Sequence, residues 1–275
     1  MFNIKRNPVT ILSILIAIFA ALASAGGLLF KGLYRDNAFV TTTWLGNDAV
    51  TLFLAVPILV IALILSARGS LKAQLVWLGA LDYMLYNYAF YLFGAAFNAF
   101  FLVYAALLAL SIFALICGLT SLDVNKIRQQ FSSRTPVKWI GSYFLFVAVG
   151  LSLVYVAQSV GFIVTGQVPA IVALSDHPTN VVFALDLTLL IPWLIVGALW
   201  LFKRQPWGYA IAGILSVKGP LYTLVLAVNS ILVVNAGISE TSELPLWGSL
   251  TVFGLAAGAL LFGNIKSAMK GHEGS

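Results

Sequence analysis

Residues 181–234 read VVFALDLTLLIPWLIVGALWLFKRQPWGYAIAGILSVKGPLYTLVLAVNSILVV. Two apolar runs, 181–202 and 207–234, flank the basic break Lys203-Arg204-Gln205-Pro206. A hydrocarbon core about 30 Å thick is crossed by roughly 20 apolar helical residues, so each run is long enough to span it. Working outward, six more runs of this kind lie at about 9–30, 49–67, 73–93, 98–119, 138–164 and 245–265. Lipid cannot satisfy backbone polar groups, and the short alternating segments of a membrane barrel are absent, so each run must be helical. The sequence predicts an all-α integral membrane bundle of eight transmembrane helices, one domain over residues 1–275.

Composition agrees. The 275 residues are 61% hydrophobic and 9% charged, with a mean hydropathy of +1.01. Soluble proteins carry about 25% charged residues, so soluble enzymes, nucleic-acid binders and disordered scaffolds are excluded. The net charge of +6 is topogenic, because the 15 Lys and Arg sit in short runs between apolar segments. One Cys and two His build neither a disulfide framework nor a zinc site. No nucleotide-binding loop or catalytic serine elbow occurs, so the sequence points to no enzyme, no cofactor and no metal.

Basic residues mark cytoplasmic loops. With the N-terminus inside, the cytoplasmic side holds Lys5, Arg6, Arg68, Lys72, Lys126, Arg128, Arg134, Lys138, Lys203, Arg204, Lys266 and Lys270, and the outside holds Lys31 and Arg35. Asp36, Asp48, Asp176, Glu240 and Glu243 fall outside, with Asp123 and Glu273 inside. Both termini are expected to be cytoplasmic. Lys5-Arg6, the first run and Ala23-Ser24-Ala25 mimic a secretory signal, but the run exceeds a signal's apolar region.

Sliding the chain by about 135 residues aligns Ser24 with Ser159, Gly26 with Gly161, Pro57 with Pro192 and Arg68 with Lys203. One inserted residue then aligns Asp82 with Lys218 and Leu85-Tyr86 with Leu221-Tyr222. Such spacing fits two parallel four-helix repeats, 1–135 and 136–275, although the fourth and eighth helices match poorly and apolar sequences align readily by chance.

Ionisable residues inside a membrane are costly and need a reason. Asp82 and Lys218 are expected at about the same depth near the midplane, with Asp186 nearer the outside. Tyr86 lies one turn from Asp82, with Tyr83, Asn87 and Tyr91 beside it; Lys218, Tyr222 and Asn229 share a helix face. Pro57, Pro192 and Gly219-Pro220 read as helix-break positions that free backbone carbonyls, a construction common at transporter sites and in ordinary packing alike. Asp82 and Lys218 form either a structural ion pair or a proton or ion relay. Weaker signals are Asp176-His177, a solvated loop rather than a ligand set, and Trp44, Trp139, Trp207 and Trp247 as interfacial anchors. Cys117 reads as a packing residue.

Asp186-Leu187-Thr188, Pro192, the stretch from Lys203 to Tyr209 and Lys218 resemble a pattern in bacterial multi-pass membrane proteins of no assigned activity. The resemblance implies a bacterial inner membrane and makes Asp186 a rival of Asp82 as partner of Lys218. Three functions compete. One is a small secondary transporter or channel-like protein handling protons or a small anionic solute. The second is a non-catalytic assembly partner contacting others through lipid-facing Gly254 and Gly258. The third is a photoactive protein with retinal on Lys218, disfavoured by eight helices. The lipid bilayer is the expected partner in all three, and nucleic acid in none.

Overall fold

The computed structural model describes residues 8–266; the expectations on Lys5, Arg6, Lys270 and Glu273 lie outside the described residues. In chain order the helices are α1 (Pro8–Leu29), α2 (Ala38–Ala67), α3 (Leu71–Gly94), α4 (Phe101–Thr120), α5 (Val124–Gln130), α6 (Val137–Thr165), α7 (Ala170–Ser175), α8 (Val181–Phe202), α9 (Pro206–Asn235) and α10 (Leu244–Gly263). Eight are long. All but α3 are also apolar enough to cross a membrane. Helix α3 is diluted by Lys72, Gln74, Asp82, Asn87 and four tyrosines. Large apolar side chains point outward, such as Leu102 and Ile163, each 78% exposed, as expected of a surface solvated by lipid. The chain is a multi-pass helical membrane protein.

Helix α2 starts well before the expected residue 49. Asn37 caps it by accepting from the Val40 amide at 2.9 Å, which brings Trp44 and Asp48 inside the bundle. Trp44 is fully buried rather than an interfacial anchor, and Asp48 is buried rather than an outside loop acid. The three threonines 41–43 lower the local hydropathy but satisfy their hydroxyls on backbone carbonyls within one turn or at Asp36, so they do not end the helix. Trp139, by contrast, is 77% exposed.

The proline positions are not breaks. Each of Pro57 and Pro192 is preceded by a π-helical turn, Thr51–Ala55 and Asp186–Leu190. Widening one turn accommodates the proline ring while the helix continues. Helix α9 likewise runs unbroken through Gly219 and Pro220. The Ser216 carbonyl, deprived of its usual donor by Pro220, faces α10 at Gly258, where a Cβ would sit 3.2 Å away. Gly254 meets Pro220 in the same way at 3.0 Å. Both glycines therefore seat α10 on α9 and do not face lipid.

The connections sort to two ends of the bundle. At one end the Arg204 guanidinium reaches the Thr135 carbonyl at 3.4 Å, and the Lys266 amide donates to Gln130 O at 2.9 Å. Trp77, near the start of α3, donates to Ser13 near the start of α1. At the other end Asn37 donates to the Leu174 carbonyl, and His177 sits 3.6 Å from Asp36.

Two large apolar cores fill the bundle, with a small third cluster of Tyr86, Ala89, Val181 and Leu185. One large core is built mainly from α1 to α4 and the other mainly from α5, α6, α8, α9 and α10. They trade residues across the seam: Leu75 of α3 enters the second, while Ile214, Leu221 and Val225 of α9 enter the first. Helices α3 and α9 cross closely there. A Cβ at Gly79 would stand 2.7 Å from the Ile214 carbonyl oxygen, and one at Gly213 2.9 Å from Leu75 Cδ1.

Candidate functional site

Lys218 projects from α9 into this seam, with its Nζ 3.8 Å from Asp82 Oδ2 on α3 and 4.5 Å from the ring centroid of Tyr86. Its side chain is only 3% exposed, whereas that of Asp82 keeps 18%. A carboxylate, an ammonium and an aromatic face thus meet at one point. Burial of either charge alone is costly, and the pairing offsets that cost.

Asp186 stands at the first position of the second π turn and is fully buried. Its two oxygens are divided between two helices: Oδ1 accepts from the Tyr86 hydroxyl of α3 and Oδ2 from the Tyr155 hydroxyl of α6, both at 2.7 Å. The Tyr222 hydroxyl lies 3.1 Å from that of Tyr86, their rings 4.8 Å apart and near edge-on. The single Tyr86 proton goes to the carboxylate, so Tyr222 is the donor in this contact. Among the described residues Lys218 is ion-paired with Asp82 and not with Asp186.

Five of the seven expected polar residues, Asp82, Tyr86, Asp186, Lys218 and Tyr222, therefore come together. Asn87 and Asn229 do not join them. Asn229 is three turns beyond Lys218, roughly 16 Å along the helix at 1.5 Å per residue, and its Nδ2 donates to Asn47 on α2 at 2.9 Å. Asn87 Nδ2 donates to Thr51, the first residue of the other π turn, at 3.4 Å, and Thr51 shares a 2.9 Å bond with Tyr83. This second polar cluster is uncharged.

A third lies nearer the Asp36 end. Asp48 accepts from Tyr91 at 2.8 Å and from Tyr34. Burial and the neighbouring Asp48 push the phenol of Tyr34, in the loop after α1, above its ordinary value; it stays protonated and donates. Asp36 accepts from the Ala96 amide and from Trp44 Nε1 and faces His177. His177 is thus turned inward from its loop, while Asp176 is exposed.

Sequence reasoning missed Tyr155, Asp48, Asn47 and Thr51. Asp48 was legible from the Asn37 cap. Tyr155 gave no signal, since a lone tyrosine in an apolar run matches any packing residue.

A cavity opens beside Asp186 between α6, α8, α9 and α10. Its empty space, mouth included, is about 570 Å³, of which about 40 Å³ takes the centres of water molecules, enough for about three. Asp186 is the only charged residue lining it; Asp82 and Lys218 do not. Ser216 and Gly219 also line it. The Ser216 hydroxyl is buried without a partner, and a Cβ at Gly219 would meet nothing within 4 Å.

The group can hold its charge in two forms. As an ion pair, Asp82 and Lys218 attract; if the proton passes from ammonium to carboxylate, both become neutral. Asp186 can exchange a proton through its tyrosine donors. Family models, curated proteins and solved structures give no match to the chain, and the chemistry of this centre rests on its own residues.

Proposed function

We propose that this chain is a small secondary transporter or channel-like protein of a bacterial inner membrane, crossing eight times with both termini cytoplasmic, whose central charged group moves protons alone or with a small solute. The observation that carries the reading is the Asp82–Lys218 pair: two opposite charges held together inside the bundle at the seam of two cores, where ionisable groups are costly and need a reason.

A recurrence along the chain, which we read as two parallel repeats, fits the same proposal. The π turn, the proline after it, the helix stop at Arg68 or Lys203 and the start of the next helix all recur 135 residues apart. The stop is closed in the same manner both times: Ser70 N donates to Leu65 O and Gln205 N to Trp200 O, with Gly69 at φ 88° and Arg204 at φ 51°. The left-handed conformation at a non-glycine residue is uncommon; Arg204 is held in it by bonds to Tyr209 and Thr135. At this spacing Asp82 falls on Val217 and Tyr86 on Leu221, one residue short of Lys218 and Tyr222, so the loop holds no inserted residue that would make the charged pair symmetry mates. The assembly-partner reading has lost its surface, because Gly254 and Gly258 pack on α9.

Proteoliposomes loaded with a pH-reporting dye test the function. Under an imposed potassium diffusion potential, the wild-type chain is expected to carry protons well above the protein-free rate, and Asp82→Asn to abolish the excess. Wild-type flux equal to that of empty vesicles removes the proposal.

Topology is checked separately in a chain with Cys117 replaced by Ser. A cysteine at exposed Thr179 should react with an impermeant maleimide in intact cells, and one at exposed Arg128 only after lysis. The reverse pattern inverts the orientation.

A further inference from the structure

We infer that the cavity beside Asp186 is a binding site for a small monovalent organic cation of the ammonium class. This rests on the transport reading and names the solute it would take.

Charge is the first reason. Ionised, Asp82, Lys218 and Asp186 sum to one negative charge, and the one positive charge is spent on Asp82 at 3.8 Å. The carboxylate left over is the one at the cavity wall. An anion entering there meets a like charge with no accessible ammonium, while a cation meets its counter-charge in a setting of low dielectric. Asp186 is fully buried and each of its oxygens accepts a tyrosine hydroxyl, so its charge acts on a ligand through the low-dielectric wall and the Tyr155 hydroxyl rather than by direct contact.

The walls are the second. Tyr143, Tyr155, Tyr222 and Trp247 are among the lining residues. Aromatic rings around one carboxylate form the environment that attracts quaternary and tertiary ammonium groups, which need few hydrogen bonds. A strongly hydrated inorganic cation would need more oxygen ligands than this lining offers.

Equilibrium dialysis of the purified full-length protein in detergent tests this with tetramethylammonium and with an anion of similar size, trifluoromethanesulfonate. Saturable binding of the cation and none of the anion is expected. Asp186→Asn should weaken cation binding by about tenfold or more, the scale of a lost charge interaction. Gly219→Leu should abolish it, since that side chain enters the open space without displacing a neighbour. The second variant keeps the test valid if Asp186→Asn fails to fold. Binding of the anion as tightly as the cation, no binding of either, or cation binding unchanged in folded Gly219→Leu overturns the inference. No gradient is present, so such failure leaves the proton flux of the vesicle experiment to stand or fall independently.

Discussion

Lys218→Met is expected to lower the thermal stability of the detergent-solubilised protein by about 3 kcal/mol, the low end of the range for removing one partner of a buried pair. The low end applies because the stranded carboxylate can take up a proton and become neutral. Asp82→Asn alone should also destabilise, leaving an ammonium that is 3% exposed with only the Tyr86 face for company. The double variant should recover much of the loss, since an apolar or neutral pair of similar size removes both desolvation costs together. Thermal unfolding of all four members of the cycle reads the coupling. Strict additivity sinks the pairing. A parallel cycle of Lys218→Met with Asp186→Asn should show a smaller coupling, because Asp186 is satisfied by Tyr86 and Tyr155 and lies outside ion-pair distance of Lys218. A larger coupling in that second cycle would make Asp186 the true partner.

What was legible in the sequence was whatever lipid forces on a chain. Runs of about 20 apolar residues fix helices because no other backbone satisfies itself in hydrocarbon, and the long helices lie where the runs predict. The depth of Asp82 and Lys218 followed from counting residues along two such helices, which is why their meeting was readable without knowledge of packing. The start of α2 was not, because hydropathy averages over the threonines 41–43 while the helix responds to the Asn37 cap. Nor was the sorting of the polar residues. Counting places Asn229 on the face of Lys218, but three turns of rise send it to Asn47 instead. A proline removes a hydrogen bond and so reads as a break; before Pro57 and Pro192 the chain widens into a π turn, while Pro220 is carried inside a continuous α-helix, a difference the residue type alone does not encode.

Glycines at the seam provide the sharpest contrast in expected effect. Gly79→Val should destabilise the protein by about 3 kcal/mol or more, at the upper end of overpacking. The added Cβ would meet Val217 Cβ at 2.6 Å and the Ile214 carbonyl oxygen at 2.7 Å. Neither atom is the far end of a flexible side chain, so α3 and α9 must separate. Small residues at such crossings allow the close approach on which helix association in lipid depends. Separation acts directly on the charged centre, because Asp82 follows Gly79 by one turn and Lys218 follows Val217 directly. Gly79→Val should therefore also lose proton flux in vesicles. Gly219→Leu serves as the comparison. It adds a larger side chain to α9 one residue beyond Lys218, yet on the cavity side and into open space, and its melting temperature should stay within the shift that about 1 kcal/mol produces, the scale of a glycine replacement inside a helix. If both variants melt alike, close approach of α3 and α9 is not what holds the seam, and the Asp82–Lys218 contact must be maintained by the charges themselves.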